Sequence, residues 1–512
     1  MGAFSADDLK DIDAGPSGSR KPDSNSRAQL ASLAETMAGQ VAEPAYSPIV
    51  LAGFVRIVEF IIIFSTGVFI HALYVAPRPG FPTEYYLIVT AVSLLSLIVF
   101  QALEVNHVSA FRAPALYGFR LAGAWTLVIL AAMACIFFLK LEGVFSRVWL
   151  LSWYALALAL LLIERAFLGM ATRRLTRSGR LDRRTVVVGG GEPAEQLLDQ
   201  LSRQKDTDLK ILGVFDDRTD DRSPDVVGGY PKLGTVDDLV EFARHARIDL
   251  AIFSLPITAE QRLLQMLRKL WVLPIDIRLA AHTNKLRFRP RSYSYIGAVP
   301  VFDIFDKPIA DWDVVLKLAF DKIVAVLCLL ILSPVFLAIA LAVKLDSPGP
   351  ILFRQKRYGF NNELIEIFKF RSMYVDQLDE CAARLVTRKD PRVTRVGRLI
   401  RKTSLDELPQ LFNVLFKGDL SLVGPRPHAI HAKAADRNYD EVVDGYFARH
   451  RVKPGITGWA QVNGWRGETD TPEKIQRRVE YDLYYIENWS ILFDLYILAI
   501  TPFALIKAKN AY

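Results

Sequence analysis

Four apolar stretches constrain this chain most: Ile57 to Val75, Tyr85 to Leu103, Leu121 to Leu139 and Trp149 to Leu168. Each is close to the roughly 20 residues that a helix needs to cross the hydrocarbon of a bilayer. They mostly lack the polar face that a helix of a soluble bundle carries. The spacing predicts four transmembrane helices. Behind the fourth, Arg165, Arg173, Arg174, Arg177, Arg180, Arg183 and Arg184 crowd together, which assigns that end to the cytosol under the positive-inside rule. An even number of crossings returns the N-terminus to the same side, in keeping with Arg112 and Arg120 between the second and third stretches.

The chain has 512 residues, enough for about three domains at roughly 150 residues each. The arm at residues 1–46 has few large apolar side chains and carries Gly15-Pro16-Ser17-Gly18, so it is expected to be disordered. Its polar composition resembles no cleavable signal peptide, and the first apolar helix is expected to do the targeting. The membrane domain is placed at 47–170. Cys135, Cys328 and Cys381 are odd in number and far apart, which supports packing and neither a disulfide framework nor a metal cluster. A net charge of +8 suits nucleic acid, anionic lipid or a polyphosphate substrate, and the placement of the charge has to decide.

Between 171 and 310 the pattern changes to short β-branched runs alternating with helical stretches: Thr185 to Val188, Ile211 to Phe215, Leu250 to Leu255 and Leu273 to Leu279. This predicts a parallel, Rossmann-like α/β domain. The first run enters Gly189-Gly190-Gly191-Glu192-Pro193-Ala194, a G-x-G-x-x-A pattern at a strand-to-helix turn, and Asp216 closes the second run. Gly189, Gly191 and Asp216 are the cofactor-binding candidates, because glycines let backbone amides approach a pyrophosphate at a helix N-terminus. Glu192 sets a negative charge beside that spot, which favours a domain used for regulation or assembly.

A further apolar run fills residues 321–344, interrupted by Ser333-Pro334. Proline removes one backbone hydrogen bond there, and a serine hydroxyl can satisfy the freed carbonyl, so a bent helix is expected. Lys317 and Lys322 precede the run, and Lys344, Arg354, Lys356 and Arg357 follow it. A re-entrant helix-break-helix keeps both basic ends in the cytosol, whereas a fifth crossing would export the most basic part of the chain.

The rest, residues 311–512, reads as an α-rich domain dense in cations. Phe368-Lys369-Phe370-Arg371 and Arg398-Leu399-Ile400-Arg401-Lys402 mark Lys369, Arg371 and Arg401 as anion ligands. Next come Thr403-Ser404-Leu405-Asp406-Glu407-Leu408-Pro409-Gln410-Leu411-Phe412 and Gly424-Pro425-Arg426-Pro427. Ser404 or Thr403 is expected to cap a helix whose dipole, with Arg401, keeps Asp406 ionised at neutral pH. His428 and His431 have no third partner and make no metal site. The stretch Tyr481 to Ala508 fits either a helix in the membrane interface or a core helix.

The run Thr403 to Pro427, with Lys344 to Met373 and Val452-Lys453-Pro454-Gly455-Ile456-Thr457-Gly458-Trp459-Ala460-Gln461-Val462, resembles the catalytic domain of the monotopic phosphoglycosyl transferases. These are polyprenyl-phosphate hexose-1-phosphate transferases. The leading helices and α/β domain further resemble the long members, the undecaprenyl-phosphate glucose-1-phosphate transferases that begin exopolysaccharide synthesis.

The resemblance implies transfer of hexose 1-phosphate from a UDP-hexose to undecaprenyl phosphate with release of UMP, glucose being favoured and galactose the alternative. It implies Asp406 as nucleophile, forming an acyl phosphate that carries the sugar, with Glu407 as its metal-binding or electrostatic partner. A carboxylate suits this role because it is ionised without a base. A divalent ion, Mg2+, is expected at Asp406 and Glu407, because attack of an anion on a pyrophosphate is impeded by charge. Arg401 and Arg426 are the expected phosphate clamps, since guanidinium forks grip two oxygens at once, and Lys453 is expected to touch the nucleotide. The setting implied is the bacterial inner membrane with a cytosolic catalytic domain, downstream glycosyltransferases as partners, a homodimer as the oligomer such architectures favour, and no nucleic acid.

Two other classes fit less well. A membrane-tethered oxidoreductase or dehydratase would need a Tyr-x-x-x-Lys pair between Gly191 and Val301, and the sequence has none. A non-catalytic assembly protein would not need Asp406-Glu407 with their flanking arginines.

Overall fold

The computed structural model describes residues 46–76, 84–106, 110–111, 114–141, 143–203, 208–218, 224–255, 259–281, 294–296, 299–375, 390–428, 433–434, 437–438, 443, 445–465 and 471–507. The arm at 1–46, expected to be disordered, lies almost wholly outside these residues, as do Arg112, Cys381 and His431. Two compact units emerge, one over Glu43–Arg183 and one holding Arg184–Tyr512.

The first unit is built from helices α1 (Pro48–Ile70), α2 (Glu84–Ala102), α3 (Pro114–Phe138) and α4 (Arg147–Arg177), each packed on its two neighbours in a closed ring. All four contain windows long and apolar enough to cross a membrane. Trp125, Trp149 and Trp153 fill the centre, and the indoles of Trp149 and Trp153 donate to Gly67 O and Ile63 O at 3.2 and 2.9 Å. Arg165 departs from the expected basic edge. It is buried in the bundle, donating to Glu59 Oε1 at 2.5 Å and to Asn106 Oδ1 at 3.1 Å, because a charge among apolar helices is tolerated only when paired.

The second unit opens with an eight-stranded sheet of order β3-β4-β2-β1-β5-β6-β8-β7. The strands are β1 (Arg183–Val188), β2 (Leu209–Phe215), β3 (Val226–Val227), β4 (Tyr230–Gly234), β5 (Leu250–Phe253), β6 (Asp276–Ala280), β7 (Ser294–Ile296) and β8 (Val299–Phe305). The pairs β1–β5, β5–β6 and β2–β4 are parallel. The pairs β6–β8, β7–β8 and β3–β4 are antiparallel, so the sheet is mixed where a parallel one was expected. The four expected strands are present; β3, β4, β7 and β8 escape pattern reading because they are short or hold Pro231 and Pro300. Helices α5 (Glu192–Ser202), α6 (Val236–His245) and α7 (Glu260–Leu270) cover the sheet.

Helix α8 (Asp311–Asp346) runs unbroken through Ser333-Pro334. The Ser333 hydroxyl donates to Leu330 O at 2.8 Å, the carbonyl that Pro334 leaves without its amide partner. Leu330, Ile331 and Leu337 at the middle are exposed, whereas Lys317, Asp321 and Ala325 before it and Ile339 and Val343 after it are buried. Lys317 is more than a flanking charge. Its ammonium donates to Asp494 Oδ2 at 2.6 Å, Val423 O at 3.1 Å and Asp321 Oδ1 at 3.3 Å, tying the start of α8 to the body of the domain.

The remaining elements are the hairpin β9 (Leu352–Tyr358) and β10 (Leu364–Phe370), helix α9 (Arg395–Lys402), strand β11 (Ser421–Val423) paired in parallel with β12 (Gly455–Thr457), and helices α10 (Pro472–Glu487) and α11 (Ile491–Lys507). The C-terminal stretch is thus two helices, the first with a core face and the second with an exposed apolar one. In α10, Asp482, Tyr485 and Ile486 are core, while α11 buries Asp494 and exposes Leu492, Tyr496 and Phe503.

Candidate active site

Thr394 and Asp346 start the helix that leads into the site: Gly397 N donates to Thr394 Oγ1 at 2.9 Å and Val396 N to Asp346 Oδ2 at 3.0 Å. The helix α9 ends at Thr403, and Ser404 turns the chain with φ 59°. A left-handed serine is uncommon, and such conformations gather at functional sites. Asp406 and Glu407 follow on a single 3-10 turn, Leu405–Glu407, with no side-chain cap from Ser404. The expected capped helix is absent, because Thr403 serves as the C-cap of α9 and Ser404 is left-handed.

The two carboxylates are treated differently. Glu407 is buried, and its Oε1 accepts from Arg426 Nη2 at 2.6 Å and Lys369 Nζ at 3.0 Å, with Oε2 accepting from Arg426 Nη1 at 3.1 Å. This is the bidentate geometry that suits a guanidinium fork. Asp406 is half-buried, and among the described residues no donor sits on its carboxylate. Burial raises its pKa to about 6 and Glu407 adds to the rise, outweighing the cations Lys369, Arg401 and Arg426. The pKa is thus raised, by burial first and by the neighbouring acid second, where a helix dipole and Arg401 were expected to lower it; at neutral pH Asp406 is still a carboxylate, as expected.

Lys369 reaches Glu407 because β10 alternates its faces. On the preceding residue, Phe368, Arg354 and Lys417 stack at 5.6 and 4.5 Å from the ring centre. Asn413 locks this strand to the chain after Asp406, accepting from Phe368 N at 2.9 Å and donating to Glu366 O at 2.7 Å.

Arg371, expected to bind phosphate, is held elsewhere. It is buried and donates to Pro348 O at 2.7 Å and to Ser347 O and Oγ at 2.6 and 3.0 Å, closing the end of α8. Lys453 also lies apart: its ammonium donates to Gly418 O at 2.6 Å, and its charged surroundings are Asp321, Asp419, Lys322 and Lys317.

The Gly455 to Val462 segment that follows Lys453 braces Arg426. Gly455 N donates to Pro425 O at 3.0 Å and Gly424 N to Thr457 O at 2.9 Å. A Cβ on Gly424 would meet Lys453 O at 2.5 Å, and one on Gly455 or Gly458 would strike Gly424 itself. The three glycines are what allow these backbones to touch.

His428 is buried among Tyr446, Arg449 and Arg478; burial, aided by those cations, holds its pKa well below the ordinary range. Sequence reading overlooked Arg449, Asp482 and Asn413, since no motif spacing distinguishes a buried polar residue from a surface one. Among the described residues no group of three or more His, Cys, Asp or Glu gathers.

In the α/β domain, Gly189 and Gly191 have φ of 100° and 79°. Asp216 accepts from Gly190 N at 2.9 Å, and Arg218 pairs with Asp216 while donating to Gly190 O at 2.7 Å. One amide that would face a phosphate is thus taken by the carboxylate.

Known sequences match this chain over the residues that build the site. Residues 312–508 match the family described as "Bacterial sugar transferase", and residues 101–281 match one described as "CoA-binding domain". The chain is 41% identical over 371 residues to a protein of Komagataeibacter xylinus named undecaprenyl-phosphate glucose phosphotransferase, covering 71% of this chain and 66% of the relative. It is 37% identical over 430 residues, 82% of this chain and 89% of the relative, to the Escherichia coli (strain K12) protein named UDP-glucose:undecaprenyl-phosphate glucose-1-phosphate transferase. A protein of that name from Xanthomonas campestris pv. campestris is 38% identical over 72% of this chain and 75% of its own length. This chain belongs to the bacterial sugar transferase family. Within that family the Asp406-Glu407 turn is the candidate centre of the transferase.

Proposed function

We propose that this enzyme transfers glucose 1-phosphate from UDP-glucose to undecaprenyl phosphate, releasing UMP, by way of a covalent intermediate on Asp406. The observation that carries the reading is the asymmetry of the acidic pair: Glu407 is fixed by Arg426 and Lys369, whereas among the described residues no donor sits on Asp406. In the first half-reaction an Asp406 oxygen attacks the phosphorus that bears glucose, and the bond to UMP breaks with its electron pair leaving on UMP. In the second, a phosphate oxygen of undecaprenyl phosphate attacks the same phosphorus and the Asp406 carboxylate is released. The number of phosphoanhydride bonds is conserved, so the protein has only to lower the barrier. Lys369, Arg401 and Arg426 stabilise charge that shifts across the diphosphate.

A magnesium ion fits the Asp406 carboxylate, which is free to ligate. Glu407 becomes a ligand only by releasing part of its grip on Arg426 or Lys369. Magnesium is commonly held by one or two carboxylates with substrate phosphates, and when bound it supplies neutralisation of the diphosphate.

The proposed placement is supported by α8. Both its halves pack on the same domain, Lys317 and Asp321 near one end and Val343 near the other, with exposed Leu330 and Ile331 between them. A re-entrant helix on the cytosolic face of the inner membrane accounts for that pattern, together with four crossings by α1 to α4. The lipid-linked glucose then serves downstream glycosyltransferases of an exopolysaccharide or capsule pathway.

The test is UMP release by the purified protein in detergent with Mg2+ and undecaprenyl phosphate, UDP-glucose and UDP-galactose being supplied in parallel. Lipid-dependent UMP from UDP-glucose is expected. Faster turnover of UDP-galactose would reassign the sugar, and turnover of neither would remove the reading.

A further inference from the structure

We infer that Arg449 is a positioning residue of the transferase, setting the backbone from which Arg426 holds Glu407 beside Asp406. The inference rests on the proposed reaction and adds a part to it. Arg449 lies on the 3-10 turn Tyr446–Arg451 and is fully buried. Its Nη2 donates to Arg426 O at 2.7 Å and to Asp482 Oδ2 at 2.6 Å, its Nε donates to the same Asp482 oxygen at 3.1 Å, and its Nη1 meets His428 Nδ1 at 2.6 Å.

A buried guanidinium is costly unless paired. Asp482 supplies the opposite charge, yet one fork nitrogen is directed at a carbonyl, and that carbonyl belongs to Arg426. The carbonyl one residue earlier, Pro425 O, is fixed by Gly455 N at 3.0 Å. Two successive carbonyls are therefore pinned from two different elements, and proline rings stiffen the residues on either side of Arg426. The side chain that emerges from this clamp makes both guanidinium contacts to Glu407. The turn itself is footed on the α/β domain. Arg244 of α6 lies 5.1 Å from the Phe447 ring centre, Asn361 donates to Ala243 O at 2.9 Å, and Gly445 is pressed against Trp271. Arg449 thus stands between that domain and the acidic pair without touching a reacting atom.

Displacing a catalytic constellation by about 1 Å costs on the order of 100-fold in rate. Two full-length variants in detergent test the inference. Arg449→Lys keeps a charge beside Asp482 but replaces the fork by a single ammonium. The double variant Arg449→Leu with Asp482→Leu removes both charges together, a replacement that buried pairs commonly tolerate. Melting is measured beside kcat and KM for UDP-glucose. The expected result is melting close to wild type in the double variant, kcat lower on the order of 100-fold, KM little changed, and Arg449→Lys intermediate. Folded variants with wild-type kcat, or a loss carried by KM alone, would overturn it. So would failure of both variants to fold, since Arg449 would then support the whole domain. If the wild type itself turns over no UDP-sugar, it is the proposed reaction that fails.

Discussion

Arg426 grips Glu407 through both terminal guanidinium nitrogens, at 2.6 and 3.1 Å, while among the described residues no donor sits on the adjacent Asp406 carboxylate. Neighbouring acids placed in such different surroundings are a common way to divide roles between two carboxylates. Here one is a fixed charge and the other the proposed nucleophile.

The pH profile follows from that division. Asp406 has its pKa raised to about 6 by burial and by Glu407. A raised carboxylate takes up a proton as pH falls through that value, so the proposed nucleophile is ionised above about pH 6 and lost below it. The expectation is a plateau in kcat/KM near neutrality and a decline of about tenfold per pH unit well below pH 6, read from initial rates of UMP release.

Gly455→Ala tests the brace. The added Cβ would strike Gly424 N, and overpacking of this kind costs about 1–3 kcal/mol. The variant is expected to melt earlier and to lose activity, because the collision lies one residue from Pro425 in the Arg426 turn.

Lys317→Ala should be among the most damaging changes outside the site. It removes the partner of the buried Asp494 carboxylate and one contact of Asp321. Breaking a buried pair from one side costs about 3–5 kcal/mol. Loss of soluble, monodisperse protein in detergent, or a markedly lower melting temperature, is the readout.

The membrane path of α8 is open to a labelling test in right-side-out and inverted vesicles. Single cysteines introduced near Asp311 and near Ser347 are expected to react with an impermeant maleimide only in inverted vesicles, both on the same side. Labelling of the two positions from opposite sides would make α8 a fifth crossing.

Much of this architecture was legible in the sequence, because the signals were local and repeated. Four apolar stretches of membrane length gave four helices, and β-branched runs gave the central strands. The Ser333 to Leu330 contact follows from the rule for a proline inside a helix. What sequence could not convey was the destination of long polar side chains. Arg165 and Lys317 read as cations at the membrane edge and Arg371 as an anion ligand, yet each is buried against a partner far away in the chain: Glu59, Asp494 and Ser347 respectively. At the site, Asp406, Glu407, Lys369 and Arg426 are brought together by the fold. The cap expected from Ser404 gives way to a left-handed turn, and Gly455 to Gly458 proves to be a backbone brace. No pattern of residue types distinguishes a loop that touches substrate from one that touches another loop.

The most direct test of the central claim is mass analysis of the wild type and Asp406→Asn after incubation with UDP-glucose and Mg2+ but no undecaprenyl phosphate. The account predicts a hexose-phosphate adduct on Asp406 in the wild type, formed with a stoichiometric burst of UMP, and neither adduct nor burst in Asp406→Asn. Full turnover by Asp406→Asn, or UMP formed by the wild type only when both substrates are present and without any adduct, would contradict it.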